Sequence, residues 1–355
     1  MLDDDDIRAL AEAGAAAPTG GNAQPWRLRA TGKSLEVSLD EERSGAFIDV
    51  DRTSSLLGLG SFVENVAVAA RARGLEPAVE SLGLTRIDEP VVRILFEKRD
   101  ALDGSAAFAV QARSTNRRPW NGETIDRESI GRVAAETEAD SAHRLATVSG
   151  EARSSVADAL AEADVVRTFN RAYMDEMLSE FRWTAEEAET TRDGVDLATL
   201  ELSESDRRGL GLMRKRWFVS LFVLRKRIRA MSRTALLDSS HLAAVVMPRD
   251  ARPAQLVAAG QAVQRTWLAA TATGLAIQPW CTIPFFHLRA ERYPDSLPER
   301  DARAIEQIMD SLRDAWRVGD DERVIFTFRM SIPDGPPSAL ALRRAWTDFT
   351  TIERE

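Results

Sequence analysis

A single cysteine, Cys281, stands in 355 residues, which excludes an internal disulfide and a cysteine-built zinc site. The three histidines, His143, His241 and His287, lie far apart without carboxylates at ligand spacing, so no metal centre is expected. The sequence contains no G-x-G-x-x-G, no G-x-x-x-x-G-K-[ST] and no H-E-x-x-H, so a Rossmann nucleotide site, a P-loop and a zincin are unsupported. Basic excess is lacking too: a formal charge of -9 disfavours nucleic acid, whose binding rests on neutralising phosphates. No apolar run approaches the roughly 18 residues of a membrane span. The opening Met1-Leu2-Asp3-Asp4-Asp5-Asp6 is acidic where a secretory signal would be basic. A cytoplasmic protein without stable membrane insertion is expected.

What is present suffices for a large core. At 44% hydrophobic content the chain can form one large domain or two closely packed halves. Residues 7 to 17 read as an Ala-rich helix stopped by the turn formers Pro18-Thr19-Gly20-Gly21-Asn22. Alternation in Trp26 to Ala30 and Leu35 to Leu39 predicts two adjacent strands, with a third over Val91 to Phe96. Thr53 to Arg73 is a long helix with Gly74 at its C-cap.

That helix recurs. Gly60 to Leu75 and Gly260 to Leu275 share seven of sixteen positions at an offset of 200, and each ends on Gly-Leu. Two small-residue helices matched in this way suit a duplicated unit set around a pseudo-two-fold axis; two ordinary buried Ala-rich helices would read alike. The division expected is an N-terminal half over 1–104 and a C-terminal half over 105–355. In the second half, a helix at 126 to 137 is followed by strands at 144 to 148, 243 to 247 and 323 to 329. A helix-rich insertion at about 151–238 has no counterpart in the first half and reads as a lid or arm.

Several features carry two readings. Cys281 is either a reactive thiol or a small buried hydrophobe. Residues 207 to 233 carry ten Lys or Arg and no acid around Trp217 to Leu224; they suit a membrane surface or a partner protein, or a lid helix with its arginines in solvent. Glu180 to Glu187 and Thr191 to Gly194 suit a cap over a site, or a solvated helix end. Arg113-Ser114-Thr115-Asn116-Arg117-Arg118 places guanidiniums where a phosphate monoester could take bidentate charge-assisted hydrogen bonds. Ala17 to Trp26 offers exposed backbone amides and two amide side chains. Each of these last two stretches also reads as ordinary turn chemistry.

The run Ala17-Pro18-Thr19-Gly20-Gly21-Asn22-Ala23-Gln24-Pro25-Trp26 resembles the S-G-N-x-Q-P-W loop of the nitroreductase family, and Arg113-Ser114-Thr115-Asn116-Arg117 resembles that family's opening R-R-S-x-R. Ordinary members are homodimers holding FMN at the interface, with the arginine motif from one subunit and the loop from the other. Here the loop sits in the first half and the arginine motif in the second, as in the Acg-like single chains that imitate the dimer. The resemblance implies an α+β nitroreductase-like fold, duplicated into a pseudo-dimer, with antiparallel or mixed sheets flanked by helices and a helical lid. It implies one FMN: Arg113, Ser114 and Arg117 at the phosphate and ribityl chain, Thr19, Gly20, Gly21 and Asn22 lining it from the first half. Gln278-Pro279-Trp280 falls where the family aims a backbone amide at the flavin ring, and Arg343-Arg344 resembles a C-terminal basic pair near the phosphate. The function implied is hydride transfer from a transient NAD(P)H donor to an electron-poor aromatic or quinone-like acceptor. A protein that sequesters FMN without turnover and a flavin-dependent dehydrogenase of a biosynthetic intermediate fit the same site. No protein acid or base is called for, and the expected state is a monomer that meets only small-molecule substrates.

Overall fold

The computed structural model describes residues 2–87, 89–99, 103–214 and 222–353. Its elements run α1 (Asp4–Ala15), β1 (Trp26–Ala30), β2 (Ser34–Leu39), α2 (Thr53–Ala72), β3 (Leu75–Ser81), β4 (Val92–Lys98), α3 (Ala107–Ala112), α4 (Arg127–Thr137), β5 (Arg144–Ser149) and α5 (Arg153–Phe169). There follow α6 (Arg171–Glu180), β6 (Phe181–Arg182), α7 (Ala185–Thr191), β7 (Val195–Asp196), α8 (Glu204–Met213) and α9 (Phe222–Leu237). The last are β8 (His241–Pro248), α10 (Pro253–Ala272), β9 (Ala276–Pro279), α11 (Thr282–Arg292), α12 (Glu299–Trp316), β10 (Glu322–Ser331) and β11 (Thr350–Ile352).

The strands form two main sheets. One has the order β11-β1-β2-β4-β3, antiparallel except where β11 runs parallel to β1, and the other is the antiparallel β5-β8-β10-β9. Between them α2 crosses α10, and the crossing is set by glycine. A Cβ added at Gly60 would lie 2.0 Å from the Val257 carbonyl oxygen, and one at Gly260 would lie 2.1 Å from that of Leu57. The two contacts are the same contact displaced by the 200-residue repeat. Both helices stop the same way, on Gly74 (φ 71°) and Gly274 (φ 76°), a left-handed C′ conformation that glycine adopts without strain.

Polar side chains pin the crossing. Ser61 Oγ donates to the Gly260 carbonyl at 3.1 Å, Gln264 donates to Asn65 at 2.6 Å, and Asn65 donates to the Ala13 carbonyl at 3.0 Å, which ties in α1. Around them the main core takes Trp26, Leu28, Leu56, Phe62 and Val66 from the first half of the chain and Val245, Val263, Trp267 and Phe328 from the second.

The stretch at about 151–238 is not all lid. Helix α5 places Val156, Leu160, Ala161 and Val166 in a second core with Leu242, Val246, Ile305 and Leu312, so it belongs to the body. Its remaining face meets α9: Arg233 pairs with Asp158 at 3.0 Å, Arg229 with Glu162 at 3.6 Å, and Arg225 lies over Phe169 at 4.6 Å. Arg225, Arg229 and Arg233 of α9 therefore answer acids and an aromatic ring on α5, while Arg227 pairs with Asp206 of α8 at 3.9 Å. Trp217 to Leu221, the centre of the basic run, lie outside the described residues. Among the described residues, no helix is long and apolar enough to cross a membrane.

Candidate functional site

The loop after α1 adopts a conformation that few side chains favour. Gly21, Asn22 and Gln24 all have positive φ (56°, 54° and 53°), and strain of this kind persists only where surroundings fix it. Thr19 Oγ1 accepts from the Gln24 amide at 3.1 Å, and Gln24, fully buried, donates to the Arg192 carbonyl at 2.8 Å and accepts from the Arg344 amide at 2.9 Å. Asn22 spends its amide on the carbonyls of Gly194 and Leu342, each at 3.1 Å, and its oxygen accepts from Arg343 at 2.9 Å. Gly20 packs against Ser54 at the start of α2.

Arg113 leaves the end of α3 and reaches this loop, donating to the Ala16 carbonyl at 2.8 Å with its guanidinium 4.7 Å above Trp267 of α10. It is 7% exposed, and its Nε is buried without an acceptor among the described residues. Burial, then the neighbouring charge of Arg343, pushes its pKa down to about 9. Arg343 repeats the pattern: burial lowers it to about 10, and its Nε is likewise unpartnered. Arg117 donates to the Thr199 carbonyl at 2.9 Å and is lowered to about 10 by burial and then by Arg329, with Glu201 opposing the shift.

Residues 113–117 also run beside β9. Thr115 bridges in parallel to Ile277, the Asn116 amide donates to the Ile277 carbonyl at 3.4 Å, and the Arg117 carbonyl accepts from Arg329. The Gln278 carbonyl oxygen of the side chain accepts from Arg329 Nε at 2.7 Å, and the same arginine donates to the carbonyls of Ala235, Asp238 and Arg117. Arg113 thus lies near Arg343 and Arg117 near Arg329, and these guanidiniums donate their hydrogen bonds to carbonyls and side-chain amide oxygens. Arg329 was not singled out from sequence, although a lone arginine amid Val324 to Met330 is a legible signal.

The remaining residues do not all converge. Arg344 donates to the carbonyls of Gln24 and Asp348 and stacks on Phe349, so it braces the loop from behind. Pro279 has no N–H, and the Trp280 amide is already bonded to the Thr327 carbonyl at 2.7 Å. Its indole turns to Asp164 of α5 at 2.9 Å. Trp280 therefore does not supply the free amide donor that the resemblance implied. Cys281 donates to the Thr327 carbonyl, and burial pushes its thiol up to about 12, which makes it inert at neutral pH.

Residues 171–200 close over the loop. Gly194 donates to the Asn22 carbonyl at 3.3 Å, and Arg192 Nε donates to the Arg343 carbonyl at 2.7 Å. Asp193 holds Arg43 at 2.6 Å and Arg182 at 3.0 Å. Glu180, the last residue of α6, sets its carboxyl against Gly21, where an added Cβ would lie 2.5 Å from it. Burial, then the charge of Glu176, raises Glu180 to about 7. Sequence reasoning placed a cap here without seeing that Glu180 touches the loop.

No family model matches the chain. It is 26% identical over 339 residues, 94% of its length and 47% of the relative's, to an uncharacterized protein of Mycobacterium tuberculosis strain CDC 1551 / Oshkosh. It is 26% identical over 211 residues, 58% of its length and 62% of the relative's, to the putative NAD(P)H nitroreductase acg of the same species. The chain thus spans less than two thirds of these relatives. Among solved structures, the FMN and NADPH-dependent nitroreductase NfnB from Sphigopyxis sp. strain HMH superposes with a TM-score of 0.41 at 17% identity, covering 67% of this chain and 94% of that one. The FMN-dependent NfnB from Mycobacterium smegmatis in complex with NADPH gives 0.40 at 17%, covering 70% and 99%. The chain is thus similar in sequence, over 211 residues, to the putative NAD(P)H nitroreductase acg, and it carries the crossing of α2 and α10 twice over at an offset of 200.

Proposed function

We propose that the chain is an FMN-dependent oxidoreductase passing hydride from a nicotinamide donor to an electron-poor aromatic or quinone-like acceptor. The observation that carries this is the pair of buried guanidiniums, Arg113 and Arg343, each with an Nε that no acceptor among the described residues meets. Burying cations without a counter-charge is costly, and the cost is reversed by a ligand that brings the charge. A phosphate monoester is such a ligand, and the guanidinium fork matches it. Arg117 and Arg329 extend the positive field toward Gln278, and Ser114, next in the chain to Arg113, would join them at the phosphate and ribityl chain. Thr19, Gly20, Gly21 and Asn22 would face the less charged part of the cofactor.

When bound, FMN supplies the hydride chemistry, and the protein supplies orientation, electrostatics and exclusion of water. The lid residues Arg192, Asp193 and Gly194, bonded to the loop, serve the last of these. We take the division into 1–104 and 105–355 as part of the same proposal: the first half brings the loop and the second the arginines, so one complete site results. Pairing of α2 with α10 inside one chain supports a monomer. A cytoplasmic location belongs to the proposal as well.

The same lid contacts favour one rival, an FMN-holding protein that does not turn over. Released flavin measured against protein is expected near one per chain; a ratio near two, or near zero after reconstitution, overturns the site. Steady-state oxidation of NADH and NADPH with a panel of nitroaromatics and quinones then separates enzyme from holder.

A further inference from the structure

The α2–α10 crossing has two sides. On one, Gln264 meets Asn65, Arg113 lies over Trp267, and α1 packs on α2 with the 17–25 loop following it. On the other, 200 residues displaced, Glu64 meets Arg265, α4 packs on α10, and the 138–143 loop follows α4. Strand β3 follows α2 as β9 follows α10. In this second position lies a cavity of about 260 Å³ lined among others by Glu64, Ala67, Val79, Asp140, Gln261 and Arg265. Ala67 occupies the place that Trp267 fills on the first side, and its small side chain leaves the space open.

The two sides differ in sign. On the first, Arg113 and Arg343 meet no carboxylate among the described residues. On the second, Arg265 is held by Glu64 at 3.3 Å and Asp140 at 3.0 Å, with its Nε on the Glu136 carbonyl at 3.0 Å. Arg71 at the rim pairs with Glu76 at 3.6 Å, so three carboxylates face two guanidiniums. The Asp140 carboxylate also accepts from His143 at 2.9 Å. Among the described residues lining it, a phosphate finds no unpaired cation here. What is open is an acceptor: the Glu64 side chain is 9% exposed, its Oε2 takes Gln261 and Arg265, and its Oε1 accepts from none of the described residues. Ala67 and Val79 supply an apolar wall beside it. A dry cavity of roughly 150 Å³ can hold benzene, so this one has room for a ring and a short tail.

We propose that this cavity is a second ligand site, which takes a small organic cation with its ammonium on Glu64 and Asp140 and its apolar body against Ala67 and Val79. The site does not depend on the flavin reading, and it is filled or empty irrespective of FMN.

Methyl-labelled protein, as purified, is titrated with 2-phenylethylamine, with 3-phenylpropionate and with 2-phenylethanol, following the Ala67 and Ala139 methyls and the Gln261 side-chain amide. The amine is expected to shift these signals saturably, with the carboxylate and alcohol at least tenfold weaker. Glu64→Gln should weaken the amine about tenfold to a hundredfold, the range of a charge-assisted hydrogen bond. Val79→Trp, at a position 38% exposed on the edge strand β3, should block entry without disturbing the core. Flavin content reports on the other side of the crossing and should not change in either variant. Equal binding of amine and carboxylate, no movement of the signals, or full binding by both folded variants overturns the proposal.

Discussion

Replacing Arg113 with methionine should stabilise the empty protein while weakening its hold on FMN, an inversion that an ordinary structural arginine would not produce. The fall of the Arg113 pKa from 12.5 to about 9 corresponds to a folding cost on the order of 5 kcal/mol. Because the folded value lies below the unfolded one, the cost is carried in full at pH 7 and fades only as pH rises through about 9. Stacking on Trp267 returns about 1 kcal/mol and the bond to the Ala16 carbonyl about 2 kcal/mol. The net penalty is therefore about 2 kcal/mol. Methionine removes the charge and keeps an apolar side chain on the Trp267 ring.

The assay is urea denaturation of flavin-stripped protein at pH 7, parent against Arg113→Met, repeated with saturating FMN and with riboflavin. Stripped Arg113→Met should be more stable by about 2 kcal/mol. Its FMN affinity should fall about tenfold to a hundredfold, and riboflavin, which has no phosphate, should bind both proteins alike. A stripped variant less stable than the parent, with unchanged FMN affinity, would refute the view that Arg113 is held in wait for an anion.

Asn22→Ala should weaken FMN and riboflavin equally in the same titration, since Asn22 joins the loop to Gly194, Leu342 and Arg343 rather than to the cation pair alone. Gly60→Ala forces a methyl to 2.0 Å from the Val257 carbonyl, so the helices must part by about 1 Å and stability should fall by about 3 kcal/mol or more; chemical denaturation within 1 kcal/mol of the parent would contradict the crossing. Asp193→Ala releases Arg43 and Arg182, and limited trypsin digestion should then cut within 182–194 several-fold faster. Glu180 has its folded pKa raised from 4.5 to about 7, so its contribution to closure is full below about pH 4.5 and is lost as pH rises through 7; hydrogen exchange at the Gly194 amide should quicken from pH 6 to pH 8 beyond the intrinsic rate, and Glu180→Gln should remove that excess.

The repeat was legible because close approach of two helices leaves room for glycine alone, and Gly60 and Gly260 had to be written into the chain for the crossing to form. The strands after each Gly-Leu were harder to see. Both β3 and β9 lie at sheet edges and contain a proline, Pro77 and Pro279, which disguises a strand in sequence and is tolerated only where a ladder bond is not needed. Nothing local announces β11 either: three residues at the far end of the chain pair with Leu28 to Ala30, and only the finished fold brings them there. Helix α5 reads as part of the lid because many of its buried residues are small or polar, Ala157, Ala161, Ala163, Asp164 and Thr168 among them, and the core it joins is supplied also by α12 and the β5-β8 face.

The site divides along the same physical line. Residue types with a local signature, the turn formers of the loop and the arginines of 113–118, could be named in advance. Which arginines matter could not, because a guanidinium becomes a ligand for an anion by what fails to meet it. Arg265 stands inside α10 and Arg113 at the end of α3, and nothing in their local sequence tells which of them awaits an anion. Arg265 is answered by Glu64 and Asp140, while Arg113 meets a carbonyl, a ring and another arginine. The partners that decide the matter come from distant parts of the chain. The sign of each side of the crossing, anion-seeking at Arg113 and cation-seeking at Glu64, is therefore a property of tertiary pairing that no motif records.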